Sequence, residues 1–514
     1  MNKFHSALRW VLSCCGIFWV LLCIALHSSA SEEPQVKVRD TLFVGQRDSE
    51  GVESFRGIPF ALPPVGERRW RRPIPWQGEG GTYDATEFAP ACMQTGSGLA
   101  WYHGMMRRVG VDPSNMEGPR YSEDCLYLNI WTDLDAEGKR PVLIFIHGGS
   151  NTGGWSYEPN YHGESLVRRN VVVVTVAYRL GVFGWLSHPD MEARNLALYD
   201  LALSLDWVYQ HIADFGGDPN RITVSGESAG ATNALHLAIS PLSKGRVNQV
   251  IHQSGGWPLD DSPDPVEATA RGLELASKVL NGQTDLNALR RAPPERVMEA
   301  AGAVYADFYF DPIEDPTSLP VTLEAMAKSG NFPALPMMIG TNADERLMYL
   351  TADGTLEQLL TTRVGPVQRA QVVSYLSGLE DEWQQRNYLG TGLDFLCPSL
   401  ELASLIEKNG GQAWVYRFDR VRPGFDPIGA YHGAELPYVF DRHDDWLPSS
   451  EVDDHLTELM LDYWTSFITG GQPTSEQGGH WPEWSTAQRT ALFNDGVSFT
   501  EHPDLKLCRL IRGA

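Results

Sequence analysis

Apolar runs recur along the chain at residues 142–146, 171–176, 222–225, 250–253, 336–340 and 413–418. Most are rich in β-branched residues, and their hydrophobicity is continuous rather than alternating with polar positions. That pattern predicts strands covered on both faces. The segments between them are mostly long enough for helical crossovers, so the expected architecture is a mixed, mostly parallel sheet with helices on both sides. Between residues 196 and 212 the period changes. There Leu198, Leu201, Leu205, Val208 and Ile212 recur at helical spacing, predicting a helix packed on the sheet just ahead of the run at 222–225. Residues 260–315, rich in Ala, Glu, Arg and Pro, predict peripheral helices and loops. No repeat, low-complexity tract or Pro/Ser-rich linker divides the 514 residues, which read as one large α/β domain.

The N-terminus follows a different pattern. Lys3 and Arg9 precede an apolar segment at 11–26, followed by Ser28-Ser29-Ala30 and the acidic Glu32-Glu33. This is the layout of a secretory signal at residues 1–30 cleaved after Ala30, with an uncleaved anchor as the alternative. No later stretch offers about eighteen uninterrupted apolar residues, so no stable membrane insertion of the mature chain 31–514 is expected. Of seven cysteines, Cys14, Cys15 and Cys23 leave with the signal. The other four are an even number in an oxidising compartment and allow three pairings. The preferred nearest-neighbour pairing joins Cys92 to Cys125 and Cys397 to Cys508, with free buried thiols the alternative, above all for the second pair. A secreted or periplasmic location follows, and the absence of an Asn-x-Ser/Thr sequon fits a bacterial exported protein.

With 42% hydrophobic and 21% charged residues the chain has ample core. Its formal charge of −24 argues against a nucleic-acid partner, because phosphate binding needs clustered Lys and Arg. Solubility is the simplest reading of that acidity. No H-E-x-x-H helix, closely spaced Cys/His set or phosphate-cradling G-x-G-x-x-G after a strand occurs, so neither a metal nor another cofactor is expected.

The chemistry gathers where the run at 222–225 meets Gly226-Glu227-Ser228-Ala229-Gly230. Two glycines without Cβ atoms let a strand and the following helix cross closely, and the serine between them sits on a strained turn with its hydroxyl exposed. This is a nucleophile elbow. The G-x-S-x-G pattern alone is weakly specific, and its weight comes from its surroundings. The elbow segment and Glu123-Asp124-Cys125-Leu126-Tyr127-Leu128-Asn129-Ile130 closely resemble the two signature stretches of the type-B carboxylesterase family, which includes cholinesterases, bacterial esterases and some fungal lipases. Phe55-Arg56-Gly57-Ile58-Pro59-Phe60, His147-Gly148-Gly149, Tyr178-Arg179-Leu180-Gly181, residues 394–398 and Tyr431-His432-Gly433-Ala434-Glu435-Leu436-Pro437-Tyr438 follow the same pattern in order. The resemblance covers nearly the whole mature chain and implies an α/β-hydrolase fold with peripheral helical insertions.

It also implies a serine hydrolase cleaving carboxylic esters through a covalent acyl-serine. A serine hydroxyl needs a base to take its proton and an acid to orient that base, in the chain order Ser, acid, His. Ser228 is the nucleophile, Glu345 matches the family's acid with Asp344 as runner-up, and His432 is the general base. Arg346 stands where the family usually has glycine. The oxyanion donors implied are the backbone N–H groups of Gly149, Ser150 and Ala229, with Ser150 replacing a glycine the family often carries. Glu227 matches a residue that holds water and assists deacylation in relatives, or serves as a structural hydrogen-bonding group. Ser254 matches a position supporting the acid and base.

A joined Cys92–Cys125 would close a loop bearing Met93, Leu99, Trp101, Tyr102, Met105, Met106 and Met116, suited to a lid or gorge wall or to core packing. Cholinesterases place a cation-binding tryptophan ten residues before the second cysteine; here Asn115 stands there, which disfavours choline esters, while Trp101 offers a ring elsewhere in the loop. The expected partner is a small-molecule ester. Amide, carbamate or lipid-ester hydrolysis by the same triad is the alternative, and a non-catalytic adhesion module of the same fold is disfavoured because all three triad residues are present. Nothing in the pattern specifies an oligomeric state.

Overall fold

The computed structural model describes residues 33–95, 97–256, 263–444, 446–485 and 488–513. The expected signal at residues 1–30 lies outside the described residues. Among the described residues the main sheet has eleven strands: β1 (Gln46–Arg47), β2 (Glu53–Pro59), β3 (Tyr127–Thr132), β4 (Arg140–Ile146), β5 (Val172–Val176), β6 (Gly217–Glu227), β7 (Gln249–Gln253), β8 (Met337–Asn342), β9 (Ala413–Phe418), β10 (Arg489–Phe493) and β11 (Val497–Glu501). Their spatial order is β11-β10-β9-β8-β7-β6-β4-β5-β3-β2-β1. From β10 to β5 every neighbour pairs in parallel, and antiparallel strands finish both edges. All six apolar runs fall in the parallel part.

The continuous hydrophobicity of these runs has the expected cause. Successive side chains of a strand point to opposite faces. Val142, Ile144 and Ile146 of β4 feed one core cluster, while the intervening Leu143 and Phe145 feed another. The first cluster takes Leu198, Leu201, Leu205 and Val208 from a helix at Leu196–His211, the predicted amphipathic segment. The second takes Leu456, Met460, Trp464 and Phe467 from a helix at Glu451–Gly470. Both faces are therefore covered, which is what lets a sheet be apolar on both sides.

Peripheral helices carry the rest. We label α1 (Ser97–Arg108), α2 (Leu196–His211), α3 (Ala229–Ile239), α4 (Pro265–Val279) and α5 (Pro294–Val304). The last two lie in the segment expected to be peripheral. The run Glu382–Lys408 is long and apolar enough to cross a membrane, but 78% of its most apolar window is buried in the fold. Disulfides join Cys92 to Cys125 and Cys397 to Cys508, the nearest-neighbour pairing. Such bonds persist in oxidising surroundings and suit an extracellular or periplasmic protein. The architecture is the α/β-hydrolase fold.

Candidate active site

Because β4, β6, β7, β8 and β9 run parallel, the loops leaving their C-terminal ends collect at one edge of the sheet, where open α/β sheets bind ligands. Each loop brings one part of the site. β6 ends at Glu227 and passes through Ser228 into α3. Ser228 has φ 57° and ψ −129°, a strained conformation for a residue with a side chain. Its amide donates to the Gln253 carbonyl at 2.9 Å. The flanking glycines are required by space: a Cβ on Gly226 would lie 2.3 Å from the Gly230 carbonyl carbon, and one on Gly230 would lie 2.1 Å from the Ile146 carbonyl oxygen. Sequence and packing agree on the elbow.

β8 delivers Glu345, which is fully buried. Its Oε1 accepts from the Ser254 hydroxyl at 2.6 Å and from the Asn342 amide at 2.7 Å, and its Oε2 lies 2.6 Å from His432 Nδ1. Asp344 serves elsewhere. Its carboxylate accepts from Ala430 N at 2.9 Å and from Asn387 Nδ2 at 2.7 Å, so it fastens the acid loop to the loop that carries His432. The two neighbouring carboxylates point in different directions: of the two, Glu345 reaches the imidazole. Arg346 turns away to Asp394, with Nε 3.3 Å from Oδ2, and its guanidinium lies over the Tyr349 ring.

With Nδ1 engaged by Glu345, the other imidazole nitrogen is turned toward Glu227, Nε2 lying 3.2 Å from its Oε1. Phe395 and Tyr349 pack on the ring, with centroids at 4.9 and 5.8 Å. Burial alone would lower the His432 pKa, but the charges of Glu227, Glu345 and Glu435 and the hydrogen bond to Glu345 outweigh it and lift it to about 9. Burial raises Glu227 to about 8 against the opposing pull of a charged His432, with Glu435, Glu345 and Glu158 adding to the rise.

Ser228 and His432 line one cleft together with Glu227, Gly148, Gly149, Ser150 and Tyr349. It encloses about 830 Å³ of empty space, part of it open to solvent. Gly149 has φ 99°, and a Cβ there would lie 2.3 Å from the Gly153 carbonyl oxygen, so the chain after β4 needs glycine at this point. Ser150 follows at φ 55° and Asn151 at φ 58°. The left-handed conformation at Ser150 is one that glycine adopts without steric cost, and the serine side chain is accommodated because the residue is exposed at the cleft. Ala229 is the first residue of α3, where helix amides have no intrahelical partner.

Three further contributions were not singled out from the sequence. Glu158 lines the cleft, accepts from the Tyr102 hydroxyl at 2.8 Å and the Trp155 amide at 3.0 Å, and is raised to about 7 by burial. Glu435, inside the quoted motif at 431–438, accepts from Asn342 Nδ2 at 2.6 Å and Gln253 Nε2 at 3.1 Å. Phe395 lay inside the motif at 394–398. The motifs held two of these residues without stating their contacts, and no local signal marked Glu158. The disulfide-closed loop does both things expected of it: Trp101 and Tyr102 on α1 line the cleft, whereas Met105 and Met106 are buried in the core. Asn115 lies exposed on a turn at Pro113–Asn115.

The Carboxylesterase family model matches residues 32–389 and 378–502. The chain is 32% identical over 546 residues to the fumonisin B1 esterase of Sphingopyxis macrogoltabida, covering 98% of this chain and 93% of that protein. It is also 32% identical over 469 residues to the para-nitrobenzyl esterase of Bacillus subtilis (strain 168), covering 87% of this chain and 91% of that protein. A solved PNB esterase structure superposes with a TM-score of 0.81 at 28% identity, covering 93% of this chain and 99% of that one. These matches and the fold make this chain a member of the carboxylesterase family and a carboxylic ester hydrolase.

Proposed function

We propose that this protein cleaves small-molecule carboxylic esters through a covalent acyl-serine intermediate, with Ser228 as nucleophile, His432 as general base and Glu345 as the acid that orients it. The observation that carries this reading is the 2.6 Å contact between Glu345 Oε2 and His432 Nδ1 in a cleft that Ser228 also lines. That contact fixes the tautomer, leaving Nε2 to take the Ser228 proton as Oγ bonds to the acyl carbon. The proton then passes to the departing alkoxide. Water attacks the acyl-serine in the second half, giving its proton to the same nitrogen, and Ser228 regains it as the acid leaves.

The developing oxyanion is met by the backbone N–H groups of Gly149, Ser150 and Ala229, each such donor contributing about 3 kcal/mol. Glu227, beside Nε2, favours the imidazolium formed in each half-reaction when it is ionised, above its raised pKa of about 8. Ser254 holds Glu345 in place from behind. The chain acts as a single catalytic domain over residues 31–514 after export directed by residues 1–30, a reading supported by the two disulfides.

The test is a panel of p-nitrophenyl esters given to the purified mature chain and to Ser228→Ala. The variant is expected to lose at least 10³-fold in kcat with its melting curve unchanged. Equal turnover by the two proteins overturns the assignment.

A further inference from the structure

The proposed oxyanion donors come from two separate pieces of chain. Gly149 and Ser150 belong to the loop that leaves β4, and Ala229 opens α3. Such donors stabilise an oxyanion only when their spacing is set before the reaction begins. Where the loop starts, packing sets it: a Cβ on Gly148 would lie 2.8 Å from the Glu227 carbonyl oxygen and 3.0 Å from the Ser228 Cβ. Past Gly149 the chain enters the left-handed region at two successive residues that carry side chains, Ser150 and Asn151. Residues other than glycine hold that conformation only when the surroundings impose it.

Asn151 supplies the anchorage. It is fully buried, and three of its polar atoms have partners on different segments. Its backbone carbonyl accepts from Gly181 N at 2.6 Å, its Nδ2 donates to the Phe310 carbonyl at 2.8 Å, and its Oδ1 accepts from Asn233 Nδ2 at 2.8 Å. Because the Phe310 carbonyl can only accept, it fixes which end of the Asn151 amide is nitrogen, and Asn233 must then present its own NH2. Asn233 is fully buried as well and lies in α3, four residues after Ala229. Residues four apart share a helix face, and helical side chains lean toward the N-terminus, so this amide reaches back toward the turn that carries Ala229. Among the described residues no donor meets Asn233 Oδ1. A buried amide with an unpaired oxygen costs stability, so packing alone gives no reason for an asparagine at this position.

We propose that Asn233 is a positioning residue for the oxyanion hole: through Asn151 it ties the Gly149 and Ser150 amides to the helix that supplies the Ala229 amide. This rests on the reading that Ser228 forms the acyl-enzyme and that these three amides receive the oxyanion. The brace acts on the tetrahedral state, in which the former carbonyl oxygen is charged. It does not act on the imidazole, whose partner Glu345 is held by Ser254 and Asn342.

Asn233→Leu keeps a similar volume and removes the bond to Asn151. Asn233→Ser withdraws the amide but keeps a polar group, and Asn151→Gly breaks the same bond from the loop side while suiting the left-handed backbone. The measurements are kcat and KM on p-nitrophenyl acetate across pH, a melting curve for each variant, and the inhibition constant of an aryl trifluoromethyl ketone. With this inhibitor Ser228 Oγ bonds to the ketone carbon, its proton passes to His432, and the ketone oxygen takes up the negative charge, so its affinity reads the amides directly.

In the folded variants kcat is expected to fall at least about tenfold and ketone affinity by a similar factor, while KM stays within about twofold and the midpoint of the pH profile does not move. Asn233→Leu added to Asn151→Gly costs little more than either alone, because both remove one bond. The brace is overturned by kcat and ketone affinity within about twofold of wild type in a folded variant. It is overturned equally by losses that multiply in the double variant, or by a pH midpoint that moves with kcat and so routes the effect through His432. Hydrolysis that survives in Ser228→Ala refutes the nucleophile, whereas an inactive Ser228→Ala beside fully active Asn233 variants refutes the brace alone.

Discussion

The serine side of the candidate site and its acid–base side are held by different kinds of order. Around Ser228 the order is steric. Gly226 and Gly230 are four residues apart, and the backbone of α3 presses on the strand it follows and on the end of β4. Around Glu345 and His432 the order is polar and long-range: the two residues are 87 positions apart and are joined through Ser254, through Asn342 and Asp344 of the acid's own loop, and through Ala430, three stretches of chain in all. Steric order tolerates no added atom. Polar order tolerates small changes of shape but not the loss of a partner.

That contrast can be broken most severely on the serine side. Gly230→Ala puts a methyl group 2.1 Å from the Ile146 carbonyl oxygen, so helix and strand must part. We expect a loss of at least about 2 kcal/mol in denaturant unfolding. A shift of Ser228 by about 1 Å would also cost on the order of 10²-fold in kcat. A stable, fully active variant would mean that the elbow is not closely packed.

On the polar side the comparison is between neighbouring carboxylates. Glu345→Gln keeps the shape of the side chain but reverses its hydrogen-bonding sense toward His432 Nδ1, and kcat is expected to fall by roughly 10³ to 10⁴. Asp344→Asn disturbs the Ala430 and Asn387 bonds without touching the imidazole, and a fall of only about tenfold, with an unmoved pH profile, is expected. Equal losses would reverse the assignment of the acid.

The smallest effect is a shift rather than a loss. His432 acts as a base only when neutral, and its pKa is lifted to about 9 partly by Glu227. The kcat/KM profile should therefore rise with pH through a midpoint above the ordinary histidine value of about 6.5. Glu227→Gln removes a negative charge that favours the imidazolium, so the pKa falls and the acid limb moves to lower pH, by about one unit. A limb that stays put or moves up would show that Glu227 does not act on the ring electrostatically.

Much of the fold was legible because it is repeated in local pattern. The six apolar runs name the parallel strands, since burial on both faces leaves no polar alternation to hide them. The helix at Leu196–His211 shows itself by its period. In the candidate site, Ser228, Glu345 and His432 were each named from motifs, and the structure brings all three to one edge of the sheet. The departures at Ser150 and Arg346 were visible as letters, but not their resolution, because a left-handed turn at an exposed position and an ion pair to Asp394 depend on what surrounds them. Glu158 carried no local signal at all, since its raised pKa comes from burial that other segments provide.

The sequence by itself determined the order of strands and helices, the glycine-flanked serine and an even set of cysteines after residue 30, most of which follow from which side chains fit, or fail to fit, next to their near neighbours. Tertiary structure alone decided which of two adjacent carboxylates meets His432 and which cysteines pair. Those outcomes depend on distances between residues tens to hundreds of positions apart, and such distances are fixed only when the core closes.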